Sequence, residues 1–167
     1  EISVCDWSSD VCSSDPVDVW TDVVCPWCYI GEARLHEAIE AEGLTGQVRL
    51  RAHSFELDPT SPTDSVADNI AHLVEAKGLP EHEVREMEAQ IQQMAREMGR
   101  EDVTGRPIAN TRAVHRVMQA LGEARGTDAA TRFFMELQRD YFTGTADPFE
   151  AEAVIARAVR GGLDEQA

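Results

Sequence analysis

Cys25 and Cys28 are separated by two residues and directly follow an apolar run, Val17 to Val24. A Cys-x-x-Cys pair at a strand-to-helix junction places the first sulfur beside unpaired backbone N–H groups at the positive end of the helix, where a thiolate is favoured. We therefore expect Cys25 to be the attacking nucleophile. Cys28 lies one helical turn further on the same face, within disulfide reach, and can resolve a mixed disulfide formed at Cys25. The spacing predicts thiol–disulfide exchange.

Three neighbouring residues are candidates for a supporting role. Pro26 and Trp27 lie between the sulfurs, where they help to set the stability of the thiolate and the shape of a docking surface. Asp22 precedes Cys25 by three residues and allows two interpretations. If it is buried at the end of the strand, this carboxylate could take or give the proton of Cys28; alternatively, it is a plain carboxylate that stabilises the turn or caps the helix.

The cysteines could also serve in a zinc centre or in a structural disulfide. Cys5 and Cys12 could complete a four-thiolate zinc centre, but their six-residue gap and the strand-to-helix setting of the other pair oppose it. A structural disulfide between two cysteines three positions apart would close too small a loop to stabilise much. We expect no metal site and no cofactor. The five histidines lack metal-ligand spacing and are expected to be surface or satisfied core residues: His36, His53, His72, His82 and His115.

The amino-acid composition limits the classes of partner that this protein is expected to bind. The chain has 167 residues, and its 15 Lys and Arg against 31 Asp and Glu give a net charge of -16. This charge argues against binding to nucleic acid or to an anionic membrane surface. The sequence contains no apolar run long enough to span a bilayer. The expected partners are protein or low-molecular-weight thiols and disulfides.

The segments around the dithiol predict a β-α-β unit with parallel strands. Val17 to Val24 has the pattern of a strand buried on both faces, and residues 47–57 alternate as a second strand. Between them a helix is expected to open near Cys25, with Pro26 in its first turn, and to end at Gly43. The predicted buried stripe of this helix consists of Ile30, Leu35, Ala38 and Ile39.

Helical patterns alone follow this unit. Ser65 is expected to cap the first helix, Gly122 to end a later one, and Asp147-Pro148 to start the last. One helix has an apolar seam at alternating three- and four-residue spacing, which predicts either core packing or an adaptable surface for unfolded protein substrates. The seam consists of Val84, Met87, Ile91, Met94 and Met98.

Three stretches of this sequence, residues 20–31, 55–59 and 110–116, resemble the DsbA-like thioredoxin-fold oxidoreductases, and within them the FrnE type. The resemblance implies a thioredoxin-like α/β fold interrupted by an all-helical insertion, with Cys25 attacking and Cys28 resolving. A related branch, similar to 2-hydroxychromene-2-carboxylate isomerases and kappa-class glutathione transferases, has serine in place of Cys25 and uses glutathione. Cysteine at both positions favours redox chemistry, and the glutathione-dependent isomerase or transferase remains the alternative.

The resemblance also predicts a domain organisation. Residues 1–15 are expected to be a non-native or disordered extension, residues 16–60 the first half of the thioredoxin-like domain, and residues 61–146 the helical insertion. Residues 147–167 are expected to return to the thioredoxin-like domain. Family members continue with further strands and a cis-proline loop that faces the dithiol, so we expect a domain truncated at its C-terminus. Without a visible signal pattern, a cytoplasmic location is expected.

Overall fold

The computed structural model describes residues 16–64 and 68–164. This part of the chain forms two strands followed by helices, with one helix between the strands. In chain order the elements are β1 (Pro16–Thr21), α1 (Pro26–Ala41), β2 (Arg49–Ser54), α2 (Asn69–Lys77), α3 (Glu81–Glu97), α4 (Arg112–Arg125), α5 (Thr127–Phe142) and α6 (Ala151–Arg160).

The two strands pair in parallel, which confirms the predicted β-α-β unit. The register runs from Pro16 opposite Arg49 to Thr21 opposite Ser54. Helix α5 is joined to β2 by a buried hydrogen bond, because the backbone N–H of Ala52 donates to the Thr131 hydroxyl at 3.0 Å. The strand that precedes the dithiol is therefore supported indirectly by α5, through β2.

Strand β1 is shorter and more exposed than predicted. The prediction that it is buried on both faces is wrong: Trp20 is 61% exposed and stacks on His53, with ring centroids 4.8 Å apart. The His53 ring contacts Asp18 at 2.6 Å, so this face of the sheet is a polar and aromatic surface. The apolar end of the run does not belong to the strand. Val23 packs into the main core from the turn between β1 and α1.

Helix α1 begins where the sequence predicted. Cys25 is its N-cap and Pro26 its first residue, while Gly43 follows its end with a φ of 67°, a conformation that favours glycine. The predicted buried stripe is only partly correct, because the second half of α1 is mostly exposed to solvent. The fully buried residues of α1 are Tyr29, Ile30 and Ala33. Leu35 and Ile39 are half-buried, and Ala38 is exposed.

The helices after β2 differ from the sequence prediction at three ends. Helix α2 is capped by Asp68, whose carboxylate accepts the Ile70 N–H at 2.9 Å, while Ser65 lies outside the described residues. Helix α4 continues through Gly122, which packs against α5, and ends at Gly126.

The start of α6 is the third difference. Asp147 accepts the Phe149 N–H at 2.8 Å and holds a turn, so the helix begins at Ala151 instead of at Pro148.

The predicted methionine seam is divided between core and surface. Val84 and Ile91 are buried, Met94 and Met98 are half-buried, and Met87 is 42% exposed. The main core lies between α4, α5, α6 and β2, and a second aromatic cluster of Tyr29, Tyr141 and Phe142 joins α1 to α5. Among the described residues, none of the helices has the length and apolar character needed to cross a bilayer.

Candidate active site

The dithiol lies at the first turn of α1. Cys25 has an extended backbone (φ -82°, ψ 109°), and its sulfur accepts the Cys28 backbone N–H at 3.3 Å. The backbone of Cys25 is fixed on both sides, because its N–H donates to the Asp22 carbonyl at 3.2 Å and its carbonyl accepts the Tyr29 N–H at 3.1 Å. Both cysteines are free thiols. Local sequence, with a proline in the first turn, is sufficient to create this arrangement.

The two sulfurs share one proton, and their surroundings shift the two pKa values in opposite directions. The hydrogen bond from Cys25 lowers the pKa of Cys28 to about 6, more than its burial raises it. The Asp22 backbone N–H and the Thr21 hydroxyl lower this pKa further, and the charge of the Asp22 carboxylate raises it. The same sulfur–sulfur hydrogen bond, together with burial, raises the pKa of Cys25 above its ordinary value. The sequence placed the thiolate on Cys25, whereas the lower pKa in this arrangement belongs to Cys28.

A cleft of about 670 Å³ opens between the start of α1 and the helices that follow β2. Of the two cysteines, Cys25 lines this cleft, together with Pro26 and Trp27. Cys25 is 8% exposed, and Trp27 is 59% exposed. The opposite wall comes from α2 and α3. The structure thus places the three predicted residues Cys25, Pro26 and Trp27 on one wall of a single cavity.

The cleft combines apolar walls with a few charges. Leu57 and Met87 expose apolar surface within it. The Arg106 guanidinium is buried and contacts Glu88 at 3.2 Å, and it also pairs with Asp102. Two carboxylates therefore already compensate this arginine. The remaining charged side chains of the lining are Asp22, Asp58 and Lys77.

Asp22 is 1% exposed and connects the dithiol turn to distant parts of the chain. Its Oδ2 accepts the Leu57 N–H at 2.8 Å and the Thr111 hydroxyl at 3.0 Å. Its backbone carbonyl accepts the Gln138 amide at 2.8 Å. The carboxylate thus holds together the loop after β2, the start of α4 and the turn before α1. Proton exchange between Asp22 and Cys28 stays a prediction.

His115, expected from the sequence to be a surface or satisfied core residue, is a neighbour of Asp22. It is 5% exposed, and its ring lies over Phe134 with centroids 5.7 Å apart and planes 15° from parallel. Its Nε2 is 3.3 Å from Asp22 Oδ1. One signal was present in the sequence: Thr111 and His115 are one helical turn apart, so both can face the same carboxylate.

No group of three or more His, Cys, Asp or Glu side chains with the arrangement of a metal site occurs in residues 16–64 and 68–164. Cys5 and Cys12, the partners considered for a zinc centre, lie outside the described residues. The structure therefore leaves the four-thiolate interpretation untested.

A dithiol at the first turn of the helix in a β-α-β unit defines a thioredoxin-like domain. The family model for the DSBA-like thioredoxin domain matches residues 16–167. The chain belongs to this family, and its fold is a DsbA-like thioredoxin fold with a helical insertion. This confirms the predicted fold class and the broader of the two family levels suggested by the sequence.

Solved structures are similar over most of this chain. The structure of the "probable DsbA oxidoreductase" of Streptomyces coelicolor matches with 27% identity and a TM-score of 0.77, covering 90% of this chain and 64% of that one. The cytosolic disulfide reductase DsbM of Pseudomonas aeruginosa shares the fold at 15% identity and a TM-score of 0.55, covering 89% of this chain and 64% of that one. The chain thus spans less than two thirds of each structure. No curated protein matched the sequence.

Proposed function

We propose that this chain carries the dithiol of a thiol–disulfide oxidoreductase of the DsbA family, FrnE type. The observation that carries the proposal is the position of Cys25 at the N-terminus of α1, facing a partly apolar cleft, with Cys28 hydrogen-bonded to it. In this proposal residues 16–60 and 147–167 belong to the thioredoxin-like part, and residues 61–146 are the insertion, whose helices α2 and α3 line the opposite wall of the cleft. The cytoplasmic location stays a prediction.

The exchange proceeds in two displacements at sulfur. In the reducing direction, Cys28 takes the proton that the two sulfurs share, the Cys25 thiolate attacks a substrate disulfide, and the released substrate thiolate takes the proton from Cys28. Cys28 then attacks Cys25 Sγ, which forms the Cys25–Cys28 disulfide and releases the second substrate thiolate. The dithiol loses two electrons, and the substrate disulfide gains them. In the oxidising direction the same steps run backwards, and Cys28 is the leaving group when a substrate thiolate attacks Cys25.

In the oxidising direction, the location of Cys25 and the pKa of Cys28 support the same assignment of roles. A disulfide bound in the cleft meets Cys25, because Cys25 is the cysteine that lines it. The lowered pKa of Cys28 makes it a good leaving thiol, since a thiol of lower pKa departs faster. A cleft-facing Cys25 and a leaving Cys28 fit attack at Cys25. The proposed substrates are protein or low-molecular-weight disulfides.

The test uses the variant Cys28→Ala in the full chain. Incubation with a peptide disulfide should trap a mixed disulfide through Cys25, which mass spectrometry of the digested adduct locates. The matched variant Cys25→Ala should trap none or far less, because Cys28 does not line the cleft. An adduct mainly at Cys28 would reverse the roles, and no adduct at either sulfur would refute the proposed exchange. Activity that survives Cys28→Ala and requires glutathione would favour the isomerase or transferase alternative.

A further inference from the structure

The two oxygens of the buried Asp22 carboxylate have unequal surroundings. Oδ2 accepts two hydrogen bonds, from Leu57 and Thr111, whereas Oδ1 is fully buried and has no hydrogen-bond partner within the described part of the chain. A buried carboxylate oxygen without a donor is costly, because it has lost water without replacement. The site therefore favours a donor that reaches Oδ1.

His115 is placed to be that donor. Its Nε2 is 3.3 Å from Oδ1 without forming a hydrogen bond, and neither ring nitrogen has a hydrogen-bond partner in residues 16–64 and 68–164. Two buried polar groups without hydrogen bonds thus face each other. A small rotation of either side chain would align them, and such tightening is common when a site passes from its resting to its working state.

We propose that His115 is a positioning residue of the dithiol that acts through Asp22, holding the free oxygen of this carboxylate and thereby stabilising the reduced, thiolate-bearing form of the Cys25–Cys28 pair. The inference rests on the proposed function, because the redox equilibrium of the dithiol is the property it modifies. In this proposal His115, a residue of the helical insertion, influences the redox chemistry of the dithiol in the thioredoxin-like part.

The direction of the effect follows from charge. The negative charge of Asp22 opposes a second negative charge on Cys28. A hydrogen-bond donor on Oδ1 reduces the negative potential at the thiolate. Stabilisation of the thiolate favours the reduced dithiol and makes the disulfide more oxidising. Loss of His115 should therefore shift the equilibrium toward the disulfide.

Two substitutions of His115 distinguish the contribution of the aromatic ring from that of the N–H donor. His115→Phe preserves stacking on Phe134 and removes the donor, whereas His115→Gln retains an N–H donor and removes the ring. Equilibration of the full chain in dithiothreitol redox buffers measures the fraction of dithiol oxidised. We expect His115→Phe to favour the disulfide about tenfold, equivalent to about 30 mV, and His115→Gln to remain close to wild type. Should His115→Phe not fold, His115→Leu carries the same prediction.

The Asp22→Asn background shows whether His115 acts through the carboxylate. In that background His115→Phe should have no further effect, because the charge it modifies is gone. An equal shift in both backgrounds, or an unchanged equilibrium in His115→Phe, would overturn the proposal. His82→Leu, at an exposed position of α3, is the control for loss of an imidazole. A wild-type dithiol that fails to exchange with the buffer would instead refute the proposed function, so the two failures are distinct.

Discussion

Tyr29 lies face to face with Phe142, with ring centroids 4.6 Å apart and ring planes 8° from parallel. The guanidinium of Arg100 lies 4.8 Å from the Tyr29 ring, and that of Arg106 lies 4.6 Å from the Phe142 ring. These four side chains connect α1, which carries the dithiol, to the end of α5 and to the loop after α3. The end of α5 and the loop after α3 are thereby fixed to the helix whose first turn holds both sulfurs.

Substitution of Tyr29 should show the strength of this connection. Tyr29→Phe retains the stack but loses the hydrogen bond from the hydroxyl to the Glu101 carbonyl at 3.1 Å, so the free energy of unfolding should fall by about 1 kcal/mol. Tyr29→Leu also loses the aromatic contact, which adds about 1 kcal/mol to the loss. Urea unfolding measures both values. Equal losses in the two variants would show that the stack contributes nothing beyond the hydrogen bond.

The Cys25 thiol is predicted to control the ionisation of Cys28. Its hydrogen bond is the largest cause of the lowered pKa of Cys28, about 6. In Cys25→Ala the pKa of Cys28 should rise, because that hydrogen bond is absent while burial still disfavours the charged form. Thiolate absorbance at acidic to alkaline pH follows this titration, and Cys28→Ala serves as the matched control. An unchanged pKa for Cys28 would contradict the shared proton.

Arg106 is predicted to be essential for stability. Its buried guanidinium pairs with Glu88 and Asp102, so Arg106→Met would leave two buried carboxylates without their cation. Breaking a buried pair in this way typically costs 3–5 kcal/mol, and we expect a loss of about that size. Arg106→Met combined with Asp102→Asn should recover part of it, because one uncompensated charge is removed. Thermal or denaturant unfolding measures both variants, and a double variant no more stable than Arg106→Met would contradict the prediction.

Asp102 gives stability a specific pH dependence. Burial raises its pKa from 3.8 to about 6, and the attraction of Arg106 only partly opposes this. Because the folded-state pKa is raised, the folded protein binds this proton more tightly than the unfolded chain does. Its contribution is full below pH 3.8 and is lost as the pH rises through about 6. Relative to Asp102→Asn, the free energy of unfolding of wild type should therefore fall across this range, and a constant difference would contradict it.

Trp27 is predicted to help substrates dock and to contribute little to the stability of the fold. It is 59% exposed and lines the cleft beside Cys25. Trp27→Ala should change the free energy of unfolding by less than about 0.5 kcal/mol, the range typical of surface substitutions. The rate with an apolar peptide disulfide should fall more than the rate with a small disulfide, because only the peptide needs the docking surface. Trp20→Ala, equally exposed but outside this cleft, is the control, and an equal effect on both substrates would count against docking.

Local signals in the sequence were sufficient for the dithiol and its surroundings. Cys25 as N-cap, Pro26 in the first turn of α1 and a parallel β-α-β unit all depend on neighbouring residues or on a short connection. Predictions from neighbouring residues were wrong where a residue packs against another element of the fold. Val23 packs into the main core but lies outside β1, and Gly122 lies inside α4 instead of ending it, because it packs against Ala130 of the next helix.

The sequence by itself determined that two thiols meet at the start of a helix, because a two-residue spacing and a proline specify that geometry locally. Only the tertiary structure decided which sulfur faces a cleft and how the proton is divided between them. It also decided the partners of Asp22, since Leu57 and Thr111 lie 35 and 89 positions away along the chain. Thr111 reaches Asp22 only when the start of α4 packs against the turn before α1, and no local pattern of residue types specifies that arrangement.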